Sequence, residues 1–179
     1  TVQDFMDTDY REIPMASSLF DAIQAITEAD CVLVRGIDKK IVGIVTASDL
    51  SVQFRSLSEP FLLLGEIENH LRRILQIQLT ESDFAAVRDP RDTSRVIKDV
   101  SDLTFGEYGR LFENPKIWDK LRLPLDRTIF VKQLDEVRVI RNDVMHFDPD
   151  GIPSCDLERL RDFTMLFQRL RTMGVLGDG

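Results

Sequence analysis

The chain has few of the residues that cross-link small folds or bind metals. Its 179 residues include only 2 cysteines and 2 histidines. Cys31 and Cys155 lie far apart, and neither has a second cysteine or a histidine at metal-ligand spacing. We therefore expect neither a disulfide framework nor a metal site, and the cysteine content is typical of the reducing cytoplasm.

Long apolar segments are also missing. No unbroken apolar run exceeds four residues, as in Phe61–Leu64, whereas a membrane-spanning helix needs about 20. The first residues, Thr1–Asp4, are polar and show no basic-then-apolar export signal. Hydrophobic residues make up 43% and charged residues 30%, which is typical of a folded chain. We expect a folded cytoplasmic protein with no membrane partner.

Positive charge is in deficit. The net charge is −8, and residues 1–60 carry 5 basic against 10 acidic side chains. Residues 61–179 carry 18 against 21. This balance argues against a long-range electrostatic attraction of the whole chain to nucleic acid. The charge balance still allows a local nucleic-acid-binding cleft within residues 61–179.

Residues 1–57 follow the pattern of a small α/β unit. Two short β-branched runs, Cys31–Val34 and Ile41–Val45, are separated by a polar turn, which predicts a hairpin. Ser18–Asp21 and Thr46–Asp49 each show a capping-box pattern that predicts a helix start. The predicted order is strand, helix, strand, strand, helix.

Residues 58–179 follow helical periodicity throughout. One helix is predicted over about 61–79, with the buried stripe Leu64, Ile67, Leu71, Ile74 and Leu75. After a loop over 89–102, two short helices are predicted to begin at Thr104 and Asn114. Two longer helices are predicted over about 126–146 and 154–173, with a turn over 148–151 between them. We therefore predict an α+β fold: a small α/β unit at 1–57 joined to an all-α bundle at 58–179.

The segment from Val2 to Leu50 resembles a CBS domain, above all in the run from Gly43 to Asp49. The resemblance implies that an adenine nucleotide (AMP, ADP or ATP) binds as a regulatory ligand. Thr46 and Ser48 would then contact phosphate and Asp49 the ribose hydroxyls. A helix N-terminus independently suits phosphate. Alternatively, Thr46 and Asp49 only cap the helix.

Only one such repeat is visible, although CBS repeats work in tandem. A lone unit is expected to expose an apolar sheet face. Either a sister repeat lies upstream, or two chains supply one repeat each.

The long C-terminal helix carries an unusual cation. Arg141 completes the apolar series Phe130, Leu134, Val137 and Val144, where a guanidinium needs an anion. Val139–Phe147, which also contains Asn142 and His146, resembles the Arg–Asn…His signature of HEPN domains. Glu66–Arg72 is similar to the opening helix of the same family.

This second resemblance implies a helical bundle and metal-independent endoribonuclease activity on RNA, with no cofactor required for catalysis. His146 would be the general acid or base, Arg141 would stabilise the phosphorane, and Asn142 would orient the pair. Arg141 and His146 are five residues apart and therefore lie about 140° apart around a helix, so a single helix does not bring their side chains together. We therefore predict a homodimer with a composite site.

Other interpretations stay open. Arg141 could pair with Glu68, and His146 could favour the carbonyls at the helix C-terminus. The chain would then be a non-catalytic dimerisation or partner-binding module, regulated by adenine-nucleotide binding to the CBS-like unit. His70 is expected at the rim of its helix. Arg72 and Arg73 are expected to be solvated, with RNA backbone contact as the alternative.

Overall fold

The computed structural model describes residues 10–88, 95–146 and 151–175. The chain divides into two compact units, residues 1–58 and 59–179. The described residues form three strands and seven α-helices, which confirms the predicted mixed α+β class. The identification of the units as CBS-like and HEPN-like stays a prediction. None of the described helices is both long and apolar enough to cross a membrane.

The first unit contains β1 (Glu12–Pro14), α1 (Leu19–Ala29), β2 (Cys31–Arg35), β3 (Ile41–Thr46) and the start of α2 (Ala47–Gln78). The strand order is β1-β2-β3, with β1 parallel and β3 antiparallel to β2. The predicted order of elements is therefore confirmed. The beginning of the CBS resemblance, residues 2–6, lies outside the described residues.

Local sequence explains where these elements begin. Ser18 caps α1: its hydroxyl accepts from the Asp21 N–H (3.2 Å), and the Asp21 carboxylate accepts from the Ser18 N–H (3.1 Å). In the hairpin turn, the Gly36 N–H donates to the Lys40 carbonyl (2.8 Å).

Helix α1 covers one side of the small sheet, whereas apolar side chains on β3 remain exposed. Val32 on β2 is fully buried, as are Ala22 and Ile26 on the facing helix α1. By contrast, Ile41 and Ile44 on β3 are exposed. This exposure agrees with the expectation for a lone repeat.

The second unit is helical in its described part. It contains the remainder of α2, a 3₁₀ turn at Val100–Asp102, and α3 (Glu81–Ala85), α4 (Phe105–Glu113), α5 (Pro115–Leu121), α6 (Arg127–Met145) and α7 (Ser154–Thr172). The predicted helix starts at Thr104 and Asn114 are confirmed, because both side chains cap the following helix. The predicted turn over 148–151 lies mostly outside the described residues.

Two features differ from the sequence prediction. A separate helix was expected from about Phe61, but α2 runs through Pro60 without a break. The fixed φ of proline suits a helix, but Pro60 gives up its own backbone hydrogen bond and crowds the carbonyl one turn earlier, so packing around α2 must offset this cost. The short helix α3 was not predicted, although its Thr80–Asp83 capping box is visible in the sequence.

Aromatic side chains hold the C-terminal helices together. The ring of Phe130 on α6 lies 5.0 Å from that of Phe112, 5.4 Å from that of Trp118 and 5.5 Å from that of Phe163. These rings belong to α4, α5 and α7, so one side chain joins four helices. The predicted stripes on α2 and α6 are buried: Leu64, Ile67, Leu71, Ile74, Leu75, Phe130, Leu134, Val137 and Val144.

A buried carboxylate anchors the start of α4. Glu107 is 1% exposed. Its carboxylate accepts from the Thr104 N–H (2.7 Å) and forms ion pairs with Arg95 and Arg110. Burial raises the pKa of Glu107, but the hydrogen bonds from Thr104 and the charge of Arg95 outweigh burial and hold it below its ordinary value.

Candidate functional site

The predicted nucleotide-contacting residues lie where β3 passes into α2. Asp49 Oδ2 accepts from the Thr46 N–H (2.9 Å) and hydroxyl (2.7 Å), and the Asp49 N–H donates to the Thr46 hydroxyl (3.3 Å). These hydrogen bonds lower the pKa of Asp49. Ser48 is exposed in the first turn of α2. The capping box is therefore present, and nucleotide binding by these residues stays a prediction.

The predicted catalytic residues occupy the C-terminal end of α6. Arg141 and Asn142 are half-buried near this end of the helix. His146 is exposed at the C-cap, where its backbone N–H donates to the carbonyls of Asn142 (3.1 Å) and Asp143 (3.2 Å). Helical geometry turns Arg141 toward the buried side of α6 and His146 about 140° away from it. Their convergence stays a prediction.

The alternative pairing of Arg141 with Glu68 is not formed. Glu68 instead accepts from Arg72 Nη2 (2.6 Å), and Arg72 Nε donates to the Tyr108 hydroxyl (2.9 Å). Arg141 makes no ion pair with any residue in the described part of the chain. Arg73 is exposed, as expected, whereas Arg72 is only partly solvated because its guanidinium reaches the fully buried Tyr108. The hydrogen bond to Tyr108 raises the pKa of Arg72.

A second set of polar side chains, which sequence reasoning did not single out as a site, lines a groove between α2 and α7. Two adjoining pockets of about 480 and 550 Å³ share Glu66, His70 and Arg171. The other lining residues are Phe61, Leu62, Gly65, Asn69, Arg73, Gln168 and Thr172. We call these two pockets the α2–α7 groove. All of its residues belong to the second unit.

His70 forms the floor of the α2–α7 groove. Its ring stacks on Phe167 at 5.0 Å with 13° between the planes, and its Nε2 lies 3.7 Å from Glu66 Oε1. Gln168 Nε2 donates to the same oxygen (3.3 Å). The His70 side chain is 12% exposed and lies between the buried and the exposed face of α2, closer to the core than to solvent. The spacing of Glu66 and His70 is visible in the sequence, but the packing of α7 over them is not.

Burial and the neighbouring charges favour the neutral form of the His70 ring. Burial lowers the pKa of His70 most, and Arg73 and Arg171 lower it further, while Glu66 opposes them. A neutral imidazole offers one donor and one acceptor nitrogen. The groove therefore combines two cations with an uncharged hydrogen-bonding floor.

No three histidine, cysteine, aspartate or glutamate side chains within the described ranges are placed to hold a metal ion. Comparisons of the chain with models of known protein families, with curated proteins and with solved structures find no match. The two family resemblances therefore rest on the motifs of this sequence.

Proposed function

We propose that residues 59–179 act as a metal-independent endoribonuclease, working as a homodimer, and that the first unit senses an adenine nucleotide and regulates it. The observation that supports this best is the state of Arg141. Glu68, the expected internal partner, is held by Arg72, so the Arg141 guanidinium has no anion among the described residues. An RNA phosphate would supply one, and in the proposed homodimer the exposed His146 of the other protomer would approach that phosphate.

The chemistry follows from the three side chains. His146 removes the proton of a ribose 2′-hydroxyl, and the 2′-oxygen attacks the adjacent phosphorus. Arg141 stabilises the negative charge of the phosphorane, and Asn142 orients the reacting groups. The bond from phosphorus to the 5′-oxygen breaks, and the 5′-oxygen takes up the proton that His146 accepted. The products are a 2′,3′-cyclic phosphate and a 5′-hydroxyl.

Cleavage assays on single-stranded RNA in the presence of EDTA test the proposal. Arg141→Ala and His146→Ala are each expected to lower the rate by about 10²-fold or more. Arg138→Ala is the matched control, because Arg138 lies one turn earlier on α6 and pairs with Asp135 at the surface. Its rate should equal that of the wild type.

Absence of cleavage by the wild type, or equal cleavage by the wild type and all three variants, would contradict the proposed nuclease activity. The non-catalytic dimerisation or partner-binding module would then be the better description.

Mixing the two inactive variants tests the composite site. If Arg141 of one protomer works with His146 of the other, each mixed dimer contains one complete site and one doubly mutated site. Random pairing then restores about a quarter of the wild-type activity. If the two residues work within one protomer, mixing restores nothing. A strictly monomeric protein in solution would also contradict the composite site.

Nucleotide sensing is tested by calorimetry with AMP, ADP and ATP. In the proposal Thr46 and Ser48 contact phosphate, and Asp49 Oδ1 accepts from a ribose hydroxyl. Asp49→Ala should abolish binding. Asp21→Ala is the control, because it removes the corresponding carboxylate from the Ser18 capping box of α1 and touches no proposed ligand contact. Equal binding by both variants would contradict the ribose contact and leave capping as the role of Asp49.

A further inference from the structure

We infer that the α2–α7 groove binds a phosphodiester of single-stranded RNA between the guanidinium groups of Arg73 and Arg171. The inference rests on the proposed function in taking RNA as the ligand. It assigns the groove a binding role and places no reacting atom in it.

Two cations converge in the groove. Arg73 on α2 and Arg171 on α7 both line it, and both act electrostatically on the His70 ring. Among the described lining residues, Glu66 alone carries a carboxylate, and its Oε1 receives a hydrogen bond from Gln168. The described lining therefore contains two guanidinium groups and one carboxylate, a balance that suits an anionic ligand.

The remaining surfaces suit a nucleotide better than a simple anion. The His70 ring is fixed by its stack on Phe167 and is neutral, so it can hydrogen-bond a hydroxyl without adding charge. At the other end, Phe61 and Leu62 are exposed apolar side chains that a base could cover. Cationic sides and an aromatic surface together are the features with which proteins hold single-stranded nucleic acid.

The groove is open to solvent. Its two pockets of about 480 and 550 Å³ share Glu66, His70 and Arg171 in their lining. An open surface of this kind leaves both ends of a bound strand free to continue.

Binding of a labelled single-stranded RNA, followed by fluorescence anisotropy at several salt concentrations, tests the inference. The full chain carries His146→Ala throughout, so that the RNA is not cleaved. Each phosphate contact contributes about −0.7 to the slope of log affinity against log salt. Arg73→Ala with Arg171→Ala should reduce the slope by about 1.4 and the affinity at least tenfold. Arg171→Lys keeps the charge and should keep most of the slope.

Arg169→Ala is the matched control, since Arg169 is exposed on α7 and does not line the groove. Fluorescence of the single tryptophan, Trp118, verifies that each variant folds. Wild-type affinity and slope in the double variant would overturn the inference. So would loss of AMP binding with unchanged RNA binding, which would show that the groove takes a free nucleotide.

The two proposals can fail separately. Cleavage that needs Arg141 and His146 but is unaffected when Arg73 and Arg171 are replaced would reject the groove and keep the nuclease. RNA binding that needs the groove, in a wild type that cleaves nothing, would keep the groove and reject the nuclease.

Discussion

Replacement of Glu107 by alanine should destabilise the second unit more than any surface substitution. The carboxylate is buried, closes the capping box of α4 through Thr104, and pairs with Arg95 and Arg110. Its removal leaves the Thr104 N–H without its partner and two guanidinium groups without their common anion. Three separate stabilising contacts are therefore lost together.

The magnitude follows from the exposure of the two partners. Removing one member of a buried ion pair costs about 3–5 kcal/mol. The side chains of Arg95 and Arg110 are 29% and 43% exposed, so water can solvate both after the substitution. We therefore expect the lower end, about 3 kcal/mol of the free energy of unfolding.

Urea denaturation followed by Trp118 fluorescence measures this loss. Trp118 packs against Phe112 and Phe130 in the second unit, so its emission reports on that unit. With a urea dependence of about 2 kcal/mol per molar, the midpoint should fall by about 1.5 M. Glu113→Ala, an exposed change on the same helix, should shift it little. Similar midpoints for the two variants would refute the reasoning.

The same substitution should change the acid sensitivity of the chain. The pKa of Glu107 in the folded protein lies below the ordinary glutamate value of 4.5. Its stabilisation is therefore complete above pH 4.5 and is lost as the pH falls below 4.5 through the folded pKa. The gap in midpoint between wild type and Glu107→Ala should narrow below pH 4.5. A gap independent of pH would show that the carboxylate charge does not contribute.

Three further substitutions test one buried hydroxyl and two backbone conformations. Tyr108→Phe removes the hydroxyl that accepts from Arg72 and donates to the Val100 carbonyl, and should lower the free energy of unfolding by about 1–2 kcal/mol in urea. Gly109→Ala should raise it by about 1 kcal/mol, because a Cβ there meets open space within a helix, whereas Gly174→Ala should lower it, because φ is +70°. The same sign for both glycine variants would contradict these conformations.

Local signals in the sequence predicted most of the secondary structure. The capping boxes at Ser18, Thr46 and Thr104 each fix a helix start through hydrogen bonds that reach only three residues along the chain. The apolar spacing of α2 and α6 predicted the buried faces, because helical geometry alone sets which positions share a side. The start expected near Phe61 was wrong, because α2 continues through Pro60 and local sequence does not show that tertiary packing offsets the cost of an internal proline.

Contacts between distant segments decided the state of the candidate sites. The sequence offered Glu68 as a partner for Arg141 and left Arg72 solvated. In the structure Arg72 binds both Glu68 and Tyr108 of α4, so Glu68 is not paired with Arg141. The stack of His70 on Phe167 likewise joins residues 97 positions apart. No periodicity within one helix encodes such a pairing, because it depends on which helices pack together and at what level along their axes.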